Sequence, residues 1–431
     1  MQLLLKGGRV IDPLAGVDRA ADVLVEDGRV SAVGAAPDAK IPAECVVDVS
    51  GKLVLPGLID MHVHLREPGL EHKEDIETGS RAAAAGGFTG VAAMPNTIPV
   101  TDNRPIVEYI CKRGRDVGLA RVCPIGAVTK GLLGESMAEI GEMVEGGAVA
   151  FSDDAFPLAD SGLMRHVMEY CRMFNVPVIL HCEDKSLAGD GLMNEGLTST
   201  MLGLRGIPDE VEEISTARNI LLARLTGCRT HIAHVSTKGA VELIRRAKED
   251  GIPVTCETCP QYFTLTDELV VGYNTNAKVS PPLRTAEDVE AVKAGLADGT
   301  IDVIATDHAP HAIEEKEAEF AVAPPGIIGL ETSVGLVMTE LVAPGILSDV
   351  QAFEKMTATP AKILGIPGGT LAKGAVADIT VIDPAREWVV RPEELKSKSK
   401  NTPFGGRSLC GKAALTILGG KVVCRDGEIV E

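Results

Sequence analysis

Two histidines two residues apart, in Asp60-Met61-His62-Val63-His64-Leu65-Arg66, are the side chains of this sequence best suited to do chemistry. They end an apolar run punctuated by glycine and proline, which reads as a β-strand. On a strand, positions i and i+2 share a face, so both imidazoles project to one side, about 6–7 Å apart along the axis. That spacing suits two ligands of one metal ion. Arg66 continues the alternation and adds a fixed positive charge on the same face. A metal beside a guanidinium points to metal-assisted chemistry on a carboxylated substrate. A His-x-His pair alone is a weak signal, because a packed strand can carry one. Its weight depends on what the rest of the chain brings to it.

The elements that must position such a site repeat along the middle of the chain, residues 56–364. Eight short apolar runs lie near Leu58–His64, Phe88–Met94, Ala120–Ile125, Ala148–Ser152, Pro177–His181, Thr230–Val235, Pro253–Glu257 and Ile301–Asp307. Helical patterns separate them, as at Asp75–Ala85, Arg104–Arg113, Leu163–Met173, Val211–Leu225, Ala240–Lys248 and Ala286–Leu296. Such alternation implies parallel strands with crossover helices, and eight units predict a closed TIM-like (β/α)8 barrel. An open doubly wound sheet is disfavoured, since no Gly-x-Gly-x-x-Gly follows the first strand. Residues 1–55 and 365–431 are strings of short β-like runs with glycine turns. They predict a small β-sandwich domain built from both termini.

In such a barrel, chemistry gathers at the C-terminal ends of the strands. There the sequence places His62, His64 and Arg66, then Asn96, Asp153-Asp154, His181, His234 and finally Asp307. Four histidines and two carboxylates are ample for one or two zinc-like ions sharing a carboxylate. Some candidates compete. Asp153 and Asp154 contend for one position. His231 and His234, three apart, cannot both face the rim, and His234 is nearer the strand end. His308 is expected to be structural, His72 and His166 to lie at the surface or in packing. Cys182 is a soft donor beside His181, with a buried thiol facing away as the plainer expectation. The run Glu314-Glu315-Lys316-Glu317-Ala318-Glu319 reads as a solvated loop.

Composition narrows the function classes. The net charge of −19 and 3% aromatic content argue against nucleic acid, which needs a basic stripe and stacking rings. Ten scattered cysteines, with one unpartnered Cys256-x-x-Cys259, read as reduced thiols of a cytoplasmic protein. The N-terminal apolar run is too short for a signal peptide. No stretch of about 18 apolar residues predicts a membrane span.

These motifs together resemble the dihydroorotases of the amidohydrolase superfamily, in their long-chain bacterial branch. Asp60-Met61-His62-Val63-His64-Leu65-Arg66-Glu67-Pro68 and Ala305-Thr306-Asp307-His308-Ala309-Pro310-His311, with Lys316 five residues on, match as they stand. So do Met94-Pro95-Asn96-Thr97, Phe151-Ser152-Asp153-Asp154, Pro281-Pro282-Leu283-Arg284 and Ala323-Pro324-Pro325-Gly326-Ile327-Ile328-Gly329-Leu330-Glu331. The resemblance implies reversible ring closure of N-carbamoyl-L-aspartate to L-dihydroorotate in pyrimidine biosynthesis. It assigns Zn2+ ligation to His62, His64, Asp154, His181 and His234, with Asp307 as acid/base and at the metal. Asp154 corresponds to the bridging carboxylate. His64, Arg66, Asn96 and His311 would bind substrate, and Pro325-Gly326 would offer backbone contacts. Ser280 stands where the family usually has asparagine, so that contact is lost, bridged by water, or supplied by Asn276.

Two other readings remain open. Hydantoinases and allantoinases are related cyclic amidohydrolases, but those relatives use a carboxylated lysine near the fourth strand, where this sequence has none. Some relatives are non-catalytic scaffolds for aspartate transcarbamoylase, yet here every ligand position is filled. A homo-oligomer and an association with aspartate transcarbamoylase are expected partners alongside the small-molecule substrate. The long segments Asp184 to Pro208 and His311 to Gly326 read as lids or docking loops.

Overall fold

The computed structural model describes residues 2–34 and 41–430. All eight expected strands form, each within about two residues of its predicted start: Leu58–Val63, Phe88–Ala93, Arg121–Gly126, Ala150–Phe151, Val178–Leu180, Thr230–Ile232, Val254–Thr258 and Val303–Ile304. They lie side by side in chain order in one parallel sheet. A parallel bridge from Val63 to His308, with the His64 N–H donating to the His308 carbonyl at 2.8 Å, joins the last strand's extension to the first. The array is thus a nearly closed (β/α)8 barrel.

The six expected helices are present as Ile76–Gly86, Arg104–Val117, Ser161–Met173, Glu210–Thr226, Lys238–Glu249 and Ala286–Asp298. Local signals set their ends. Asp75 accepts from the Thr78 N–H at the start of the first helix, and Gly87, at φ 93°, ends it in a left-handed turn. Short helices at Ile140–Gly146 and Ala358–Leu364 were not legible in the pattern.

Two apolar layers hold the barrel. Leu58, Val63, Leu65 and Phe88 pack outward with helix residues such as Ile76, Val107 and Met164. Ile59, Met61, Ala92, Ile125, Ala150, Ile179 and Val303 fill the interior, together with Ala361, Ile363 and Leu364 of the helix Ala358–Leu364. The site sits above this plug.

The terminal segments form a single nine-stranded sheet, in which Leu53–Pro56 pairs antiparallel with Ile379–Val389. Val23, Val25 and Val30 from the N-terminal half pack with Leu415 and Ile417 from the C-terminal half. Among the described residues the β-unit expected as a sandwich is thus one continuous sheet with a core of its own. Among the described residues no helix is long and apolar enough to cross a membrane.

Candidate active site

Strict strand alternation alone would not have aimed the two histidines correctly. Ile59 and Met61 point into the barrel interior, so the same parity would turn His62 and His64 outward. The register with the neighbouring strand shifts between Asp60 and Val63, and beyond it Val63 and Leu65 pack outward. This bulge reverses the parity and leaves His62 and His64 facing inward. Asp60, fully buried, anchors the irregular stretch by accepting from the His62 N–H at 3.0 Å and the Thr306 N–H at 3.2 Å. Arg66 is no longer on the strand. At φ 63° it takes a left-handed turn, so its approach to the site comes from the turn and not from alternation.

The same backbone device recurs at Asp154 (φ 45°), His234 (φ 32°) and Asp307 (φ 49°). Non-glycine residues held there carry strain of the order of 1–3 kcal/mol each, which the surrounding fold must offset. All three lie two or three residues past a strand end, where the chain must turn while the side chain stays over the barrel mouth.

Three histidines each turn one ring nitrogen to an oxygen acceptor. His62 Nδ1 lies 2.6 Å from Glu257 Oε1, His64 Nδ1 lies 2.9 Å from Asn96 Oδ1, and His181 Nε2 lies 3.2 Å from Glu183 Oε2. Each oxygen accepts that ring's N–H and leaves the opposite nitrogen as a donor to a cation. His62 Nε2 is buried without a hydrogen-bond partner, as is His234 Nδ1. His62, His64 and Asp154 offer ligand atoms within 4.8 Å of one another. Asp307 Oδ1 lies 3.1 Å from His64 Nε2 and 3.6 Å from His62 Nε2. His181 Nδ1 and His234 Nε2 approach to 2.9 Å, and the His234 ring stands 5.1 Å from that of His62. Two nitrogens bound to one tetrahedral ion at ~2.0–2.1 Å would stand ~3.4 Å apart, so this pair needs little movement to share one. An orphaned buried nitrogen amid carboxylates fits a metal centre of this donor class.

The electrostatics show how strongly the carboxylates of this cluster call for positive charge. Burial works against charge on His62, but Glu257 and Asp154 hold its pKa well above the ordinary range. Burial would raise Asp154, yet His64 and His62 hold it well below the usual carboxylate range. Burial, followed by the His181 and His62 charges, pushes His234 down to about 3, which keeps it neutral and able to bind a cation.

Beside these donors lies a cavity of about 200 Å3, lined by His64, Arg66, Asn96, Asp154, Phe156, His181, His234, Ser280, Asp307, His311 and the Pro325-Gly326 backbone. Every substrate-side residue named from the sequence therefore reaches one space. The Arg66 Nε donates to the Pro310 carbonyl at 3.1 Å, and among the described residues its Nη1 has no protein partner. That leaves the guanidinium able to grip an anion. His311 is turned onto the wall, with Nε2 3.0 Å from the Pro325 carbonyl. Burial and then the Arg66 charge push it down to about 2. Asn96 joins His64 to Asp154, its Nδ2 donating to Asp154 Oδ2 at 2.8 Å, so one of its amide hydrogens is already committed.

The competitions resolve on hydrogen bonding. Asp153 Oδ1 accepts from the Val128 N–H at 2.8 Å and the Thr129 N–H at 3.0 Å, which turns it away and leaves the site to Asp154. His231 bonds Thr255 Oγ1 at 2.8 Å and approaches Glu257 Oε2 at 3.3 Å. His308 accepts from the Gly329 N–H at 3.2 Å and is structural. Cys182 is buried against Asn219, whose Nδ2 is 3.3 Å from the sulfur. His72 and His166 are exposed.

Two expectations need correction. The acidic run after His311 is not simply solvated: Lys316 is buried, because its Nζ donates to the Pro324 carbonyl at 2.9 Å and the Gly326 carbonyl at 3.3 Å. Asn276 does not share the cavity of Ser280: it lines a second, outer cavity of about 670 Å3 that has His311 in common with the first. The sequence reading also missed Glu257, Glu183, Lys316 and Asn401 as supports. A carboxylate ending the seventh strand was the visible hint of Glu257; Asn401, far along the chain, had none.

Residues 51–240 match the model of the dihydro-orotase-like family, and residues 329–424 match that of an amidohydrolase family. Dihydroorotase of Pelobacter propionicus (strain DSM 2379 / NBRC 103807 / OttBd1) is 57% identical over 425 residues, 99% of this chain and 100% of its own. This chain belongs to the dihydroorotase family. Dihydroorotase of Pelotomaculum thermopropionicum (strain DSM 13744 / JCM 10971 / SI) is 58% identical, with 100% of both chains covered. Among solved structures, the L-hydantoinase (dihydropyrimidinase) of Arthrobacter aurescens superposes with a TM-score of 0.89 at 29% identity, covering 100% of this chain and 97% of that one. Dihydroorotases and hydantoinases thus share this fold, and the chain is a cyclic amidohydrolase on the dihydroorotase side of that likeness.

Proposed function

We propose that this chain is a zinc-dependent dihydroorotase, closing N-carbamoyl-L-aspartate to L-dihydroorotate with loss of water and catalysing the reverse hydrolysis. The observation that carries this reading is that one small cavity joins the imidazole–carboxylate donor set, Asp307, and a buried arginine with an open amino group. A hydantoin ring has no carboxylate for Arg66 to hold.

His62, His64, Asp154, His181 and His234 would hold one or two Zn2+ ions, with Asp307 beside them. Such an ion lowers the pKa of a water from ~15.7 towards ~7 and polarises a carbonyl. In hydrolysis, Asp307 accepts the proton of the attacking water and delivers it to the departing ring nitrogen. In closure, Asp307 accepts the proton of the ureido nitrogen as that nitrogen attacks the side-chain carboxyl carbon, and delivers it to the departing oxygen, which leaves as water. Arg66 holds the substrate carboxylate in a two-pronged contact, His311 packs its other side, and the Pro325-Gly326 backbone meets the ring. Residues 1–55 with 365–431 serve as the small β-unit of this enzyme, and residues 56–364 as its catalytic barrel.

The test is an assay of the purified protein with L-dihydroorotate, N-carbamoyl-L-aspartate, hydantoin and allantoin, alongside metal analysis. Turnover of the first pair, lost on chelation and restored by Zn2+, is expected. Turnover of hydantoin or allantoin in preference would overturn it, and bound zinc without any turnover would favour a scaffold.

A further inference from the structure

The segment 395–402 runs between the last long strands of the terminal sheet, Ile379–Val389 and Ser408–Leu418, yet its bonds are made at the mouth of the barrel. On one side it holds the loop that follows Arg66. The Ser397 Oγ donates to Glu74 Oε2 at 2.5 Å, the Ser399 Oγ donates to the Lys73 carbonyl at 2.6 Å, and the Lys398 Nζ donates to the Glu71 carbonyl at 2.5 Å. On the other side stands Asn401, 4% exposed. Its Nδ2 donates to the Ala309 carbonyl at 2.9 Å and to the Gly326 carbonyl at 3.0 Å, while its Oδ1 accepts from the His311 N–H at 3.0 Å. Ala309, His311 and Gly326 all line the substrate cavity.

One primary amide thus ties together the two loops that form the carboxylate-facing wall. The tie has to be tight. Gly326 sits at φ 150°, and a Cβ there would fall 2.7 Å from the Ala309 carbonyl oxygen and 2.8 Å from His311 Cδ2. The backbones are therefore packed as closely as they can be, and only a group with two donors and one acceptor satisfies all three backbone partners at once. Aspartate would set a carboxylate against two carbonyl oxygens, and alanine would leave a buried N–H and two carbonyls without this partner.

We propose that Asn401 is a positioning residue for substrate binding: through Ala309, His311 and Gly326 it sets the wall opposite the metal donors, and so makes the C-terminal β-unit part of the substrate site. This rests on the dihydroorotase reading above. No bond links Asn401 to a metal donor or to Asp307. Its loss should therefore loosen the grip on substrate while leaving metal and chemistry in place.

The experiment compares steady-state kinetics and metal content of the wild-type holoenzyme, Asn401→Ala and Asn401→Asp with L-dihydroorotate. The expected result is a KM raised about tenfold in Asn401→Ala and further in Asn401→Asp, with kcat changed less than about threefold. Metal content should stay at the wild-type level. If Asn401→Asp does not fold, Asn401→Ser, which keeps one hydroxyl for the same partners, carries the test with a smaller KM rise. A KM unchanged in a folded variant overturns the proposal, as does a joint fall of kcat and metal content, which would mark a general structural role. Absence of turnover in the wild type would overturn the dihydroorotase reading itself, and this inference with it.

Discussion

His62, His64, His181 and His234 stand at or just past the ends of three barrel strands, and three of them lean on an oxygen acceptor supplied nearby. Arg66, His311 and Gly326 lie instead on loops, fastened by side chains such as Asn401 and Lys316 to backbone carbonyls and an N–H. The floor of the cavity is set by strand register. Its wall is set by long-range side-chain-to-backbone bonds. The first arrangement gives a donor set with little freedom, suited to fixing an ion. The second gives a wall whose shape depends on residues distant in sequence, suited to selecting a ring.

This division is open to attack at several points, and the largest effect is expected where floor and wall meet. Asp307→Asn should retain metal and lose turnover by at least about 10³-fold, since it removes the proton carrier and leaves the histidines in place. Near-normal rates in that variant would take Asp307 out of the chemistry. Next, Glu257→Gln should weaken metal affinity by about 10–100-fold, because His62 loses the charged acceptor at its Nδ1. Metal titration monitored by activity and by elemental content reads this directly; unchanged affinity would mean that strand register alone aims His62.

On the wall, Arg66→Lys should raise KM for L-dihydroorotate about tenfold with metal content unchanged, because a lysine cannot reproduce the planar two-pronged contact. A KM equal to wild type would remove Arg66 from the substrate. Lys316→Met should give a smaller rise, about threefold, because Asn401 still holds Gly326 after the lysine's bonds to Pro324 and Gly326 are gone. An effect on metal binding from this end of the wall would contradict the separation of the two regions.

The smallest effect concerns pH. His311 is depressed from 6.5 to about 2 by burial and then by Arg66. Its folded pKa lies below its unfolded value, so its contribution to stability is complete above pH ~6.5 and is lost as pH falls towards its folded pKa. His311→Asn should therefore lose less stability than wild type between pH 7 and 5, by on the order of 1–2 kcal/mol. Denaturant titrations at the two pH values test it, and parallel losses in both proteins would show that His311 is already exposed to protons in the native state.

Much of this was legible in the residue order. The eight strands and six main helices announced themselves through apolar runs alternating with helical patterns, because each element buries its apolar residues at its own period. The pool of candidate donors at the strand ends was visible too, and the resemblance to the family narrowed it to a ligand set. Two features were beyond reach. The bulge between Asp60 and Val63 reverses which face the histidines take, and alternation counted along one strand cannot see a register shift against another. Asp154 prevailed over Asp153 because backbone N–H groups of Val128 and Thr129 claimed the latter.

What the sequence by itself determined is the barrel, its parallel order and the set of side chains at its mouth, all of which depend on local periodicity and on chemistry carried by residue type. Only the tertiary structure decided where those side chains point and what steadies them. Glu257 beneath His62, Lys316 beneath Pro324, and Asn401 across the mouth are polar groups satisfied by partners up to 195 residues away, as in the bond between Glu257 and His62. Such pairings leave no period in the chain, because a buried hydrogen bond constrains geometry in space and not spacing in sequence.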